Sequence, residues 1–360
     1  VQRPVIADGC TEGLRAFSAA LTAANNNHHH LPAMATTTTK ARKGSSKARK
    51  AYDGPTAEEK LCTALVELLE KGVNPWRRDW AQTGPQGQHR NLITGQPYRG
   101  SNPAVLEMWA ACRGFSLPLW LGGAQAKAEG WFPRKGSKGC YVLRPQLNKR
   151  EQEDEKGRPV VGPDGQPLIS AWVSFKPVCV FNVADLVGGT PEAQQALEAR
   201  IAEALGAVVV KPEPERLAAA EAVLGAWPVP TTWAGDRAYY SSAADQITMP
   251  TRAQFSTAEG LYATWAHEQA HSTGHSSRLG RKLGNPFGSA DYAREELVAE
   301  LAAFLICNRL EISSCTENHA AYLGNWAGVL KEGPKVLFKV LSDATKAANA
   351  ICGPDVIEEG

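Results

Sequence analysis

Helical spacing of apolar residues begins near Pro55. Thr56 followed by Glu59 has the form of a capping box, Leu61, Leu65, Leu68 and Leu69 make one apolar stripe, and Gly72 stops it. A Gly- and Pro-rich loop follows, then short helices are predicted over residues 103–112 and 122–129. Bulky apolar positions mark a strand at CYVLRP (140–145) and a second pair at AWVSF and VCVFN (171–182). Between them, residues 148–167 are polar and rich in Gly and Pro, and read as an excursion between strands. Helical spacing returns over 191–205, and KPEPE (211–215) reads as a linker, so a domain boundary falls between Gly188 and Pro214. The second half opens with a helix and continues as strand–turn–strand over 237–250. It closes with helices over 257–272, 292–310 and 318–351, the last broken at Gly333-Pro334. This order predicts an α+β chain of two domains: an α/β domain at 54–190, a linker region at 191–212, and a mostly helical domain with a small sheet at 213–360.

Residues 1–53 carry NNNHHH, TTTT and a run of six Lys/Arg without an acid between Lys40 and Lys50. Such a segment lacks the apolar surface to offset its ordering entropy, and a disordered basic tail is predicted. Met34 is a candidate natural start, with residues 1–33 an extension. Of the 360 residues 43% are hydrophobic and 21% charged. No apolar run is long enough for a membrane span, and neither a signal peptide nor an anchor is read. The eight cysteines contain no CxxC pair, which points to reduced thiols in a cytoplasm and away from a sulfur-held zinc.

The formal charge of +2 hides an asymmetry: residues 74–150 hold twelve Lys/Arg against three Asp/Glu and five of the ten tryptophans. Cations interleaved with aromatics suit a polyanion whose bases can stack, hence single-stranded nucleic acid before duplex or membrane. Candidate contacts are Trp76, Arg77 and Arg78 in NPWRRDW, Asn91, Tyr98 and Arg99 in NLITGQPYRG, then Lys127, and Arg134, Lys135 and Lys138 in RKGSKG. Trp109 and Trp120 are expected in the core.

The segment YATWAHEQAH (262–271) contains HExxH. On a helix His267 and His271 lie one turn apart on one face and can reach a single ion, with Glu268 beside them as the proton acceptor of a hydrolytic site. Gly274 ends that helix, and Ser277, where a third histidine would stand in some such sites, cannot serve. A second helix, REELVAELAAFL (294–305), puts Glu296 and Glu300 on one face. Glu296 is the expected third ligand and Glu300 the carboxylate that orients a ligand imidazole. Glu295 is the alternative register, and His275 an alternative ligand beyond the helix break. The expected cofactor is one divalent ion, zinc first, manganese or another as alternatives.

The pieces PW…W (75–80), NLITGQPYRGSN (91–102), P-x-W with RKGSKG (118–139), VFN (180–182), HExxH-x-T-G-H-x-x-R-L (267–279) and YAREEL (292–297), in this order, resemble the ArdC family of plasmid antirestriction proteins, which includes the N-terminal region of TraC-type primases. The resemblance implies an N-terminal single-stranded-DNA-binding domain joined to a zincin-like metallopeptidase domain, and protection of incoming plasmid DNA during conjugation. The excursion at 148–167 and the first 50 residues depart from the family pattern. Catalysis stays open. One alternative is a DNA shield or decoy for restriction enzymes with a structural metal; another is a SprT-like protease of DNA-bound proteins.

Overall fold

The computed structural model describes residues 57–75, 88–154, 158–162, 165–206, 212–286, 288–312 and 323–354. The leucine stripe forms α1 (Ala57–Glu70), with Leu61, Leu65 and Leu69 buried. Gly72 follows in the left-handed region at φ 77°, which a side chain would disfavour. Thr56 and the proposed capping box lie outside the described residues.

The N-terminal half is built on a four-stranded sheet, order β1-β2-β5-β4, of β1 (Arg90–Asn91), β2 (Leu119–Gly122), β4 (Cys140–Glu151) and β5 (Ile169–Asn182). β1 and β2 run parallel, and the other neighbours are antiparallel. α2 (Asn102–Arg113) precedes β2; it carries Pro103 in its first turn and stops at Gly114, whose left-handed backbone donates to the last carbonyls. The short α3 (Gly123–Ala128) leads into β3 (Trp131–Pro133), which pairs with β6 (Leu186–Gly188). Trp109 and Trp120 are buried, as expected.

The residues read as a polar excursion form instead an extension of the hairpin. β4 and β5 stay in register from Cys140↔Val180 out to Glu151↔Ile169, and bridges Glu153↔Pro159 and Val161↔Pro167 carry the pairing further. Cross-strand hydrogen bonding is indifferent to polarity, so the outer part of the arm pairs without the apolar alternation that marks a half-buried strand.

α4 (Pro191–Gly206) is no linker. Leu197 is buried in a small core with Leu92, Leu119, Leu121, Trp131 and Leu186, so this helix belongs to the N-terminal half. Gly188 permits its approach, because a Cβ there would lie 2.1 Å from the Gln194 amide nitrogen.

The second half begins with α5 (Glu213–Gly225) and a three-stranded sheet, order β7-β9-β8, of β7 (Thr231–Trp233), β8 (Tyr239–Ser241) and β9 (Gln246–Met249). The expected strand–turn–strand is β8–β9; β7, parallel to β9, was not expected. The remaining helices are α6 (Ala258–Ser272), α7 (Ala290–Leu310), α8 (Leu323–Leu330) and α9 (Pro334–Cys352), the last starting at the predicted Gly333-Pro334 break. The main apolar core crosses the expected boundary: α1 and α2 pack with α7, α8 and α9, so Leu65 and Met108 share a cluster with Trp326 and Phe304. No helix among the described residues is long and apolar enough to cross a membrane.

Candidate metal centre and nucleic-acid interface

α6 is fixed at its start by Thr257, whose hydroxyl accepts from the Gly260 amide at 3.0 Å, and α7 by Ser289, whose hydroxyl accepts from Tyr292 at 3.2 Å. The two helices pack together and face His267 and His271 toward Glu296. The Nε2 atoms of the two imidazoles are 3.1 Å apart; Glu296 Oε2 is 3.6 Å from the first and its Oε1 3.5 Å from the second. One ligand atom from each of the three residues fits within a 4.8 Å span. Nitrogen ligands about 2.0–2.1 Å from a tetrahedral ion would stand roughly 3.3 Å from each other, so these three residues fit a divalent ion.

Each imidazole has its own outer carboxylate. His267 Nδ1 faces Glu300 Oε2 at 3.6 Å, and His271 Nδ1 faces Glu295 Oε1 at 3.3 Å. Arg281 grips Glu295 from behind, donating from Nε at 2.9 Å and from Nη2 at 2.8 Å. Glu295, weighed from sequence only as a competing ligand, thus stands behind the other histidine. Its position next to Glu296 was the available signal, because adjacent helix residues point about 100° apart and cannot both face one ion. Arg281 reaches this position because the chain folds back over Gly274, where a Cβ would meet Leu283 Cδ2 at 2.9 Å and Arg281 Nη2 at 3.1 Å. His275 bonds instead with Ser277 Oγ at 2.7 Å, and among the described residues it is not in the ligand group.

The electrostatics favour a cation. Burial opposes charge on His267, yet the carboxylates of Glu296, Glu300 and Glu268 hold its pKa well above the ordinary imidazole value. Burial likewise works against ionised Glu296, and the two imidazoles overcome it and hold the carboxyl well below its usual range. Glu268 is buried, and burial raises its pKa against the pull of both histidines and the Tyr240 amide. A raised carboxyl pKa suits a group that takes up and returns protons. Tyr240 is anchored in turn: its hydroxyl donates to Asp245 Oδ1 at 2.7 Å, and Arg278 clasps Asp245 through both terminal nitrogens while its Nε donates to the Ser272 carbonyl at 2.7 Å.

The candidate nucleic-acid contacts divide. Arg99, Lys127, Arg134, Lys135 and Lys138 are exposed, the last three on the turn between β3 and β4. Asn91 and Tyr98 have internal work. Asn91 Oδ1 accepts from the Ile93 and Thr94 amides at 3.0 Å each, and its Nδ2 donates to Gln125 at 2.9 Å. Tyr98 packs against the main core, and burial pushes its pKa up to about 12. Trp76, Arg77 and Arg78 lie outside the described residues.

Two family models cover these halves: the N-terminal domain of anti-restriction factor ArdC over residues 55–167, and a zincin-like metallopeptidase over 218–343. Among solved structures, the metal-free antirestriction protein ArdC of plasmid R388 is 30% identical, with a TM-score of 0.55 over 83% of this chain and 97% of that one. The chain belongs to the ArdC antirestriction family. The Mn(II)-bound structure of R388 ArdC matches with a TM-score of 0.54 at 28% identity, over 82% of this chain and 96% of that one. Among curated relatives, a DNA primase TraC of Escherichia coli is 36% identical over 295 residues, 80% of this chain but 19% of the primase. The chain therefore spans about a fifth of that relative's length. The uncharacterized protein y4eC of Sinorhizobium fredii is 28% identical over 81% of this chain and 90% of its own.

Proposed function

We propose that this ArdC-family chain binds single-stranded DNA through its N-terminal half, carries one divalent ion at His267, His271 and Glu296, and uses a peptidase-type site to protect incoming plasmid DNA from restriction during conjugation. The observation that carries the reading is a three-ligand cluster with a buried, non-ligating Glu268 beside it. A structural zinc is typically closed by four protein ligands, whereas two histidines and one carboxylate leave a coordination position for a reactant. Zinc fits the nitrogen-rich set, and manganese is the ion held by the R388 relative. When bound, such an ion polarises a carbonyl and makes water more acidic. Glu268 would accept the proton and return it to the leaving group, while Glu300 and Glu295 would hold the two imidazoles in their ligating tautomers. A host restriction enzyme is the protein partner this reading favours, in the compartment where DNA enters, the cytoplasm. The exposed cations from Arg134 to Lys138 supply the strand contact.

The test is conjugative transfer of a plasmid encoding this protein into a restricting recipient. Wild type should raise transfer. Glu268→Gln should retain metal by elemental analysis and lose protection, and Arg134, Lys135 and Lys138 changed together to Ala should lose single-strand affinity and about 2 units of its log–log salt slope. If Glu268→Gln protects as well as wild type, the protein is a shield and the peptidase assignment falls. If the triple variant binds an oligonucleotide unchanged, the strand contact lies elsewhere.

A further inference from the structure

The β4–β5 arm carries more than the sheet needs. Its base is buried at Cys140, Val142 and Val180, but beyond Leu143 the strands run out into solvent with large apolar groups exposed, Trp172 at 49% among them. Directly paired residues share a face, so register sorts the arm. One face holds Pro145 with Phe175, Lys149 with Ala171 and Glu151 with Ile169, one cation beside one acid; the other holds Arg144 with Lys176, Gln146 with Ser174, Asn148 with Trp172, and Arg150 with Ser170. The second face therefore places an indole between cations along roughly 20 Å of strand, with no acid among those pairs. Arg144 and Lys176 make no ion pair among the described residues, and Arg150 has only an exposed contact to Glu153 at 3.5 Å. No ring or guanidinium packs on Trp172 among the described residues, and its partner Asn148 is tied sideways, donating to Ser174 Oγ at 2.7 Å.

We propose that this face of the arm is a second contact surface for single-stranded nucleic acid, with Trp172 as a stacking platform and Arg144, Lys176 and Arg150 on the phosphates. The assignment rests on the strand-binding reading of the N-terminal half and adds a surface to it. An indole stacks on any base, and cations spaced along an extended strand match phosphates of an extended chain, so the contact is sequence-tolerant. A folded acidic protein would meet the cations with carboxylates, whereas a single strand carries a planar base beside every phosphate and so meets the indole and the cations together.

The test measures binding of fluorescein-labelled oligothymidylate to the full chain by anisotropy across a salt series. Trp172→Ala should weaken binding about tenfold and Trp172→Phe should recover most of it. Arg144→Gln with Lys176→Gln should lower the log–log salt slope by about 1.4. Phe175→Ser, on the opposite face, should leave affinity unchanged, and circular dichroism reports whether each variant is folded. If wild type binds and folded Trp172→Ala binds equally well, the arm assignment is wrong while strand binding stands. If wild type does not bind the oligonucleotide, the strand-binding reading itself fails. If only Phe175→Ser weakens binding, the apolar face is the contact and this assignment is overturned.

Discussion

The imidazole pair of His267 and His271 is held by carboxylates of two kinds, and single substitutions separate them. Glu296 faces both Nε2 atoms, so Glu296→Ala should abolish stoichiometric metal in elemental analysis. Of the imidazole pair Glu295 faces only the far nitrogen of His271, so Glu295→Gln should keep the metal but weaken it about 10–100-fold in calorimetric titration. Equal losses from both would show that the ligand and orienting roles have been drawn in the wrong register. A residue farther out titrates on its own account. Asp245 has its pKa lowered to about 2, because Arg278 and Tyr240 bond its ionised form. A lowered folded pKa stabilises above the unfolded value, near 4, and that stability is lost as pH falls toward 2. Asp245→Asn should therefore lower the melting temperature at pH 6, and the gap to wild type should narrow below pH 4. A gap independent of pH would mean that the charge of Asp245 contributes nothing. The group is partly exposed, so the effect is screened and should shrink in high salt.

At the scale of elements, what periodicity and punctuation encode was legible, and what register encodes was not. The leucine stripe and Gly72 delimit α1, Gly333-Pro334 starts α9, and HExxH sits on a helix because its two histidines share a face only there. β7 is three residues long and pairs in parallel with the far strand of the β8–β9 hairpin, so no local pattern marks it. The arm was hidden for the opposite reason, since its pairing is local but its residues are solvated on both faces. α4 has helical spacing but lies in the stretch expected to link the domains; Leu197, the Gly188 contact and the Trp131 indole, which donates to the Ala193 carbonyl at 3.0 Å, seat it on the N-terminal half. α1 falls within the N-terminal family model, yet it packs chiefly against α8 of the other half. Leu65 is fully buried in the core shared with α8, so Leu65→Ala should cost roughly 2–5 kcal/mol. Because that core includes α7 and α8, chemical denaturation should shift the signals of both halves together. A shift confined to the N-terminal half would show that α1 is not part of the common core.

At the scale of the whole molecule, the two halves meet at the metal centre as well as in the core. Asn74 Nδ2, in the segment that opens the PW…W element, donates to Glu300 Oε1 at 3.4 Å, and Gln88 Nε2 donates to the Asn308 carbonyl at 2.6 Å. Asn74 and Gln88 are thus both tied to α7, the helix that supplies Glu296 and Glu300. Glu300 in turn faces the outer nitrogen of His267, so Asn74 touches the metal centre at one remove. If a strand bound to the N-terminal half displaces Asn74, its binding and that of the ion are coupled through Glu300. Linkage makes the effect reciprocal: if oligothymidylate changes metal affinity, metal must change strand affinity by the same factor. Asn74→Ala should weaken metal binding several-fold in titration and, more specifically, reduce the difference between titrations with and without oligothymidylate. Wild type showing no such difference would establish that the halves share a core but not a signal. A difference that survives in Asn74→Ala would move the coupling from this hydrogen bond to the packing of α1 against α8.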